Sequence, residues 1–188
     1  MPRYLPVQLD AANEKIQAVY AEVEDRTGFI PNFIKTLAHS DNFLQTVADL
    51  YGRLLGDTNL SEKIRQLVIL KTCKLEKCKY TVSHHTELAK KAGWTQEQIQ
   101  AMDDYAQSDL FTYYEKEVLK LTELITFEPD EIPQLEYWTQ LDNHFTSDQV
   151  VEMIILIGFF NMINRFVLSL EVELEPQFQT KTEKAVGA

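Results

Sequence analysis

Ser61-Glu-Lys-Ile-Arg-Gln66-Leu-Val-Ile-Leu70 runs on through Cys73 to Leu75-Glu-Lys77-Cys78-Lys-Tyr80-Thr81-Val-Ser-His84-His85-Thr-Glu-Leu88, and this stretch decides the fold. It contains no proline, and none occurs anywhere between residues 32 and 128. Ser61 is placed to cap a helix carrying Ile64, Leu67 and Val68, and Glu62 complements the positive end of that helix. Working outward, Phe43, Val47, Leu50, Tyr51 and Leu54 form one apolar helical face. Phe111, Tyr114, Val118, Leu121 and Ile125 form another, in steps of three and four. Thr95 with Gln98, and Thr146 with Gln149, have capping-box spacing. No segment alternates apolar and polar residues long enough to demand a strand.

The predicted fold class is therefore all-α, with helices near 11–25, 41–55, 61–75, 79–92, 95–106, 111–126, 133–142 and 147–170. The loop Thr27–Asn32 turns at Gly28 and Pro31. Residues 1–175 are expected to form one helical domain, and the polar tail 176–188 to fray. Ser61–Leu70 also aligns with Ser147-Asp-Gln-Val-Val-Glu152-Met-Ile-Ile-Leu156. Two copies of a helical-hairpin unit would explain this. So would the habit of buried helices to begin polar and continue apolar.

Composition narrows the function. The 188 residues are 45% hydrophobic and 25% charged, as in ordinary globular chains, with a formal net charge of −11. No basic field is present to meet nucleic-acid phosphates or an anionic membrane, so neither partner is expected. The opening MPRYLPVQLD lacks a signal-peptide core. Met153 to Phe160 is the most apolar run; it is far shorter than the ~20 residues of a spanning helix and reads as buried core. Two cysteines five residues apart, Cys73 and Cys78, are too few for a secreted disulfide scaffold. A cytoplasmic, reducing location is expected.

The chemistry concentrates between Cys78 and His85. Cys78 falls at the start of the 79–92 helix, where the positive helix end and Lys77 and Lys79 would favour a thiolate, the reactive form of cysteine. His85 lies one turn beyond Thr81, and His84 one turn beyond Tyr80. Cys78 and His85 share a face but stand about 10 Å apart along the axis, too far for a direct hydrogen bond. A free cysteine is also commonly a small buried hydrophobe, and adjacent histidines are commonly one surface and one core residue. No metal site is expected: His39 and His144 are isolated, so no second ligand pair exists. Cys73 continues an apolar helix end and reads as a buried thiol rather than a resolving partner for Cys78.

These words, with Ala92-Gly93, Gly28-Phe-Ile-Pro31-Asn32, Leu37-Ala38-His39, Leu50-Tyr51 and Phe160-Asn-Met-Ile-Asn-Arg165, resemble the carboxymuconolactone decarboxylase superfamily. The similarity is greatest to its alkylhydroperoxidase D-like, peroxidase-related branch. The resemblance implies an all-helical bundle and homo-oligomers; no cofactor is expected. It implies a site with a Cys-x-x-Cys pair, a histidine four residues later and a glutamate twelve residues before the first cysteine. On this sequence those positions are Cys78, Thr81, His85 and Gln66, so the second cysteine and the glutamate are both replaced. Thr81 cannot join a disulfide. Gln66 can hydrogen-bond but cannot carry a proton.

Three functions are compatible with this pattern. One is a one-cysteine thiol peroxidase, in which Cys78 reduces a hydroperoxide and a small thiol, a dithiol or Cys73 resolves the product, with His85 holding the proton inventory. Another is a catalytically degenerate oligomeric binding protein. A third is an enzyme acting on a small acidic lactone, with His85 as acid/base and Lys77 or Arg165 holding a carboxylate.

Overall fold

The computed structural model describes residues 1–131 and 135–179, and among them the chain is helical with no strand. The helices divide into two compact units, one of Met1–Asp57 with the chain from Val167 onward, the other Thr58–Phe166.

The first unit holds α1 (Glu14–Thr27), α2 (Asn32–Leu37) and α3 (Asp41–Gly56). Asn13 caps α1 by accepting from the Ile16 amide, and Gly28 ends it at φ 79°, a left-handed conformation that costs a residue without Cβ little. The predicted loop stops at Asn32, and α2 follows it at once. That helix has six residues, too few to imprint a period on the sequence. Val19, Tyr20 and Val23 of α1, Phe33 and Ile34 of α2, and Leu44, Ala48, Tyr51 and Leu54 of α3 are buried. Phe33 meets Tyr51 edge-on at 5.1 Å. The α3 face differs from the predicted one, because Phe43 (64% exposed) and Leu50 (38%) lie outside it while Leu44 and Ala48 replace them. Pro176–Phe178 forms a tight turn whose Phe178 ring lies 5.5 Å from Phe29, so the start of the expected frayed tail is packed. Residues 180–188 of that tail lie outside the described residues, as do 133 and 134 of the predicted 133–142 helix.

The second unit is built on α4 (Glu62–Leu75), with α5 (Lys79–Lys91) and α7 (Tyr113–Phe127) against it. The unit also holds α6 (Gln96–Ala101), α8 (Leu135–Asp142) and most of α9 (Ser147–Ser169). Ten consecutive α4 residues, Ile64 to Cys73, are buried. A helix enclosed on all sides must satisfy its polar side chains internally. Accordingly Lys71 Nζ binds the Met102 carbonyl and Glu123, and the Thr72 hydroxyl donates to the Val68 carbonyl at 2.8 Å. Lys63, just ahead of the buried stretch, pairs with Glu115 at 2.9 Å. Glu115 in turn completes a capping box with Thr112 at the start of α7, a box the sequence reading passed over. Of the two predicted boxes, Thr95 with Gln98 is complete, and at the other the Thr146 amide donates to Gln149 Oε1 at 3.0 Å; Ser61 caps α4 by accepting from the Ile64 amide.

α9 has 23 residues and is long and apolar enough to cross a membrane by length and composition, yet 56% of its most apolar window is buried in the protein. Met153, Leu156, Ile157 and Phe160 face inward, whereas Val151, Ile154, Ile155 and Met162 are exposed together with Gly158. The predicted core run is therefore buried on one side only. α9 also bears on the internal repeat. The chain turns after Leu75, but the equivalent stretch, 162–164, lies inside α9. Among the described residues, the likeness is confined to how the two helices begin.

The turn between α4 and α5 has a defined type. The Cys78 amide donates to the Cys73 carbonyl at 3.0 Å and the Lys77 amide to the Lys74 carbonyl at 3.0 Å. Lys77 has φ 55°. Together these make a Schellman turn, in which glycine ordinarily occupies the left-handed position. A lysine there carries strain of about 1 kcal/mol. Lys77→Gly is expected to raise unfolding free energy by about 0.5–1 kcal/mol, and Lys77→Val to lower it by more than about 1 kcal/mol, measured by urea unfolding.

Candidate active site

The sequence-predicted residues lie on the inner faces of α4 and α5, beneath α9. Gln66 and Cys73 are two turns apart on α4. Cys78 is the N-cap residue of α5, and Thr81 and His85 follow on its buried side. Phe160 and Asn164, one turn apart on α9, cover them.

Gln66 and His85 come together. His85 Nδ1 lies 3.0 Å from Gln66 Oε1. A carbonyl oxygen only accepts, so with the carboxamide in this orientation Nδ1 carries the proton and Nε2 keeps its lone pair. The imidazole stands edge-on to Phe160 at 5.0 Å and is 2% exposed. Burial, helped by the neighbouring His84, lowers its pKa to about 3. It is therefore neutral across the physiological range. His84 is buried as well, stacked on Tyr80 at 4.6 Å, so the expectation of one surface and one core histidine is not met.

Thr81 belongs to a second group. Its hydroxyl lies 2.7 Å from Asn164 Oδ1 and 3.2 Å from the Cys78 carbonyl. Asn164 Nδ2 donates to Glu76 at 2.9 Å, and Glu76 pairs with Arg165 at 3.1 Å. A polar chain thus runs from the core to the surface. Cys73 sits at its inner end, with the Thr81 and Asn164 side chains as hydrogen-bonding partners. Burial pushes the Cys73 thiol up to about 12. The bonds from Thr81 and Asn164 oppose this and are outweighed.

Cys78 occupies the amino end of α5, as the sequence predicts, but it is fully buried while Lys77 and Lys79 are exposed. Its side chain makes no capping hydrogen bond. Sequence reasoning missed Asn164 and Glu76. Asn164 could have been found, as an amide in an otherwise apolar helix is costly to bury without a partner. Among the described residues, no three His, Cys, Asp or Glu side chains are grouped to hold a metal.

Comparison with known proteins bears on the family and on the fold. Residues 41–124, which include Gln66, Cys73, Cys78, Thr81 and His85, match the Carboxymuconolactone decarboxylase family. The fold matches the alkylhydroperoxidase AhpD core of an uncharacterized peroxidase-related protein from Ralstonia eutropha JMP134, with a TM-score of 0.79, 22% identity and 94% of each chain covered. It also matches the debrominase Bmp8, with a TM-score of 0.74 and 17% identity over 93% of this chain and 92% of that one. YdfG, an uncharacterized protein of Bacillus subtilis (strain 168), is 24% identical over 113 residues, which are 60% of this chain and 77% of YdfG. The match over residues 41–124 agrees with the resemblance read from the sequence, and the fold is alkylhydroperoxidase D-like.

The buried imidazole has a measurable consequence. On acidification, an unfolded histidine binds a proton near pH 6.5, whereas the folded His85 refuses one until about pH 3. The unfolded state binds more protons in this window, so stability falls as pH drops through it. Against His85→Gln, the wild-type protein is expected to lose about 1.4 kcal/mol more per pH unit between about pH 6 and pH 4, read from urea unfolding at each pH.

Proposed function

We propose that this chain is a thiol oxidoreductase that reduces a small hydroperoxide, with Cys78 as the attacking residue. The observation that carries the reading is the position of Cys78 at the amino end of α5, five residues after a second buried thiol. The Cys78 thiolate attacks the terminal peroxide oxygen and the O–O bond breaks. The proton that the Cys78 thiol released on becoming a thiolate goes to the departing alkoxide, giving an alcohol, and the sulfur, now bonded to the hydroxyl, becomes a sulfenic acid. A small thiol or dithiol then restores the enzyme. With so low a pKa, His85 does not store protons at neutral pH. Its supporting role is to orient, with Nε2 as an acceptor fixed by the Nδ1–H bond to Gln66.

The complete burial of Cys78 and the carboxamide at Gln66 favour a second reading, a binding protein without turnover. Consumption of cumene hydroperoxide, coupled to a dithiol, separates the two. Cys78→Ser is expected to lower the rate by more than about 100-fold, and His85→Gln by less. A wild-type rate equal to that of Cys78→Ser would end the peroxidase reading. 2,3,4-Tribromopyrrole and small acidic lactones belong in the same assay as competing substrates, given the debrominase fold match and the family match.

The reading includes a cytoplasmic location and self-association. The exposed stripe of Val151, Ile154, Ile155 and Met162 on α9 supports pairing with a second copy, because Gly158 at its centre leaves room for two like helices to approach. Light scattering is expected to give a multiple of the 21.8 kDa chain mass. Ile155→Glu with Met162→Glu is expected to return it to one chain. A wild-type monomer at micromolar concentration would exclude self-association by this face.

A further inference from the structure

The geometry points to Cys73 as the resolving thiol of Cys78, so that two cysteines on either side of the α4–α5 turn close a reversible disulfide. The inference rests on the hydroperoxide reading for its oxidant, but its structural part stands apart from that reading.

The main chain carries the argument. The Cys78 amide and the Cys73 carbonyl are joined at 3.0 Å. With ordinary backbone bond lengths, that contact limits the two α-carbons to about 7 Å, the outer reach of a disulfide. Cys73 and Cys78 occupy the two positions whose side chains a Schellman turn brings together. Both are fully buried, so neither side chain turns out to solvent. Nothing about this spacing depends on a Cys-x-x-Cys pattern.

The surroundings then divide the labour. Cys73 is held protonated by burial, which makes it a poor attacker of peroxide. It is nonetheless the thiol with polar partners, Thr81 and Asn164, and Asn164 is anchored through Glu76 to Arg165. Thr81, which stands where the resemblance leads one to expect a second cysteine, thus contacts a sulfur that arrives from the preceding helix. Once Cys78 is a sulfenic acid, the Cys73 sulfur attacks the Cys78 sulfur and the S–O bond breaks. The hydroxyl leaves with the Cys73 proton as water, and the S–S bond forms. A dithiol reductant opens the disulfide, taking up the oxidation as its own disulfide and returning two thiols. The ring enclosed by the new bond is so short that it adds little to global stability, so unfolding is not the informative readout.

The test uses the full chain and mass spectrometry of unreduced protein. After one equivalent of cumene hydroperoxide, the wild type is expected to lose about 2 Da and both titratable thiols, with a Cys73–Cys78 link in a non-reduced digest. Dimedone is expected to trap at least about tenfold more Cys78 sulfenic acid in Cys73→Ser and in Cys73→Ala than in the wild type. Two variants guard against a folding defect in either, and the wild-type mass needs no variant. A persistent sulfenic acid on wild-type Cys78, with Cys73 still a free thiol, would overturn the inference and leave the peroxidase reading intact. If peroxide leaves both thiols untouched, the peroxidase reading falls, and diamide then tests the juxtaposition alone. Diamide-driven closure of the intramolecular link would support a dithiol pair with another oxidant; its failure would remove the pair.

Discussion

The enclosure of α4 is the constraint on which the second unit depends. A helix with ten consecutive buried residues gains apolar burial all round, but it also commits Arg65, Gln66, Lys71 and Thr72 to the interior. Each needs a partner there, since an unpaired buried polar group costs about 1–3 kcal/mol. Those partners tie the unit together. Lys71 reaches Glu123 on α7, Gln66 reaches His85 on α5, and Arg65 reaches Thr58 ahead of the helix at 3.3 Å. The same demand that organises the core therefore also fixes the imidazole.

One side chain, Gln66, sets the electrical character of the site. A carboxylate at position 66 would favour a protonated His85 and a proton that could move. The carboxamide of Gln66 makes the hydrogen bond and carries no charge. The pair is neutral and buried against Phe160. Charge lies at the outer end of the Thr81–Asn164 chain, on Glu76 and Arg165, where solvent reaches the arginine. The site is thus polar by hydrogen bonding within and ionic only at its rim.

Much of this was legible from sequence. Long helices announced themselves by period and by caps at Ser61 and Thr95, and the family words around Gln66 to His85 carried the fold. Three things were not legible. α2 is too short to show a period. The core face of α3 is rotated away from Phe43 and Leu50, because apolar residues lie on more than one side of that helix and pattern alone cannot rank them. The surroundings of Cys73 depend on Asn164, ninety-one residues further along the chain, a pairing that local spacing cannot reveal. The turn that joins the two cysteines was hidden for a different reason. Its left-handed residue is a lysine, whereas glycine would have marked it.

That lysine bears on how a sealed thiol meets a reactant. Lys77 sits in a conformation that an L-residue with a side chain resists, directly beside the buried Cys78. Strain held at one residue narrows the free-energy gap between the closed turn and its locally opened form, while the helices on either side stay intact. The turn is therefore a weak latch in a tight wall. The left-handed lysine makes opening of the cover over Cys78 easier by about 1 kcal/mol than the same turn with glycine would allow.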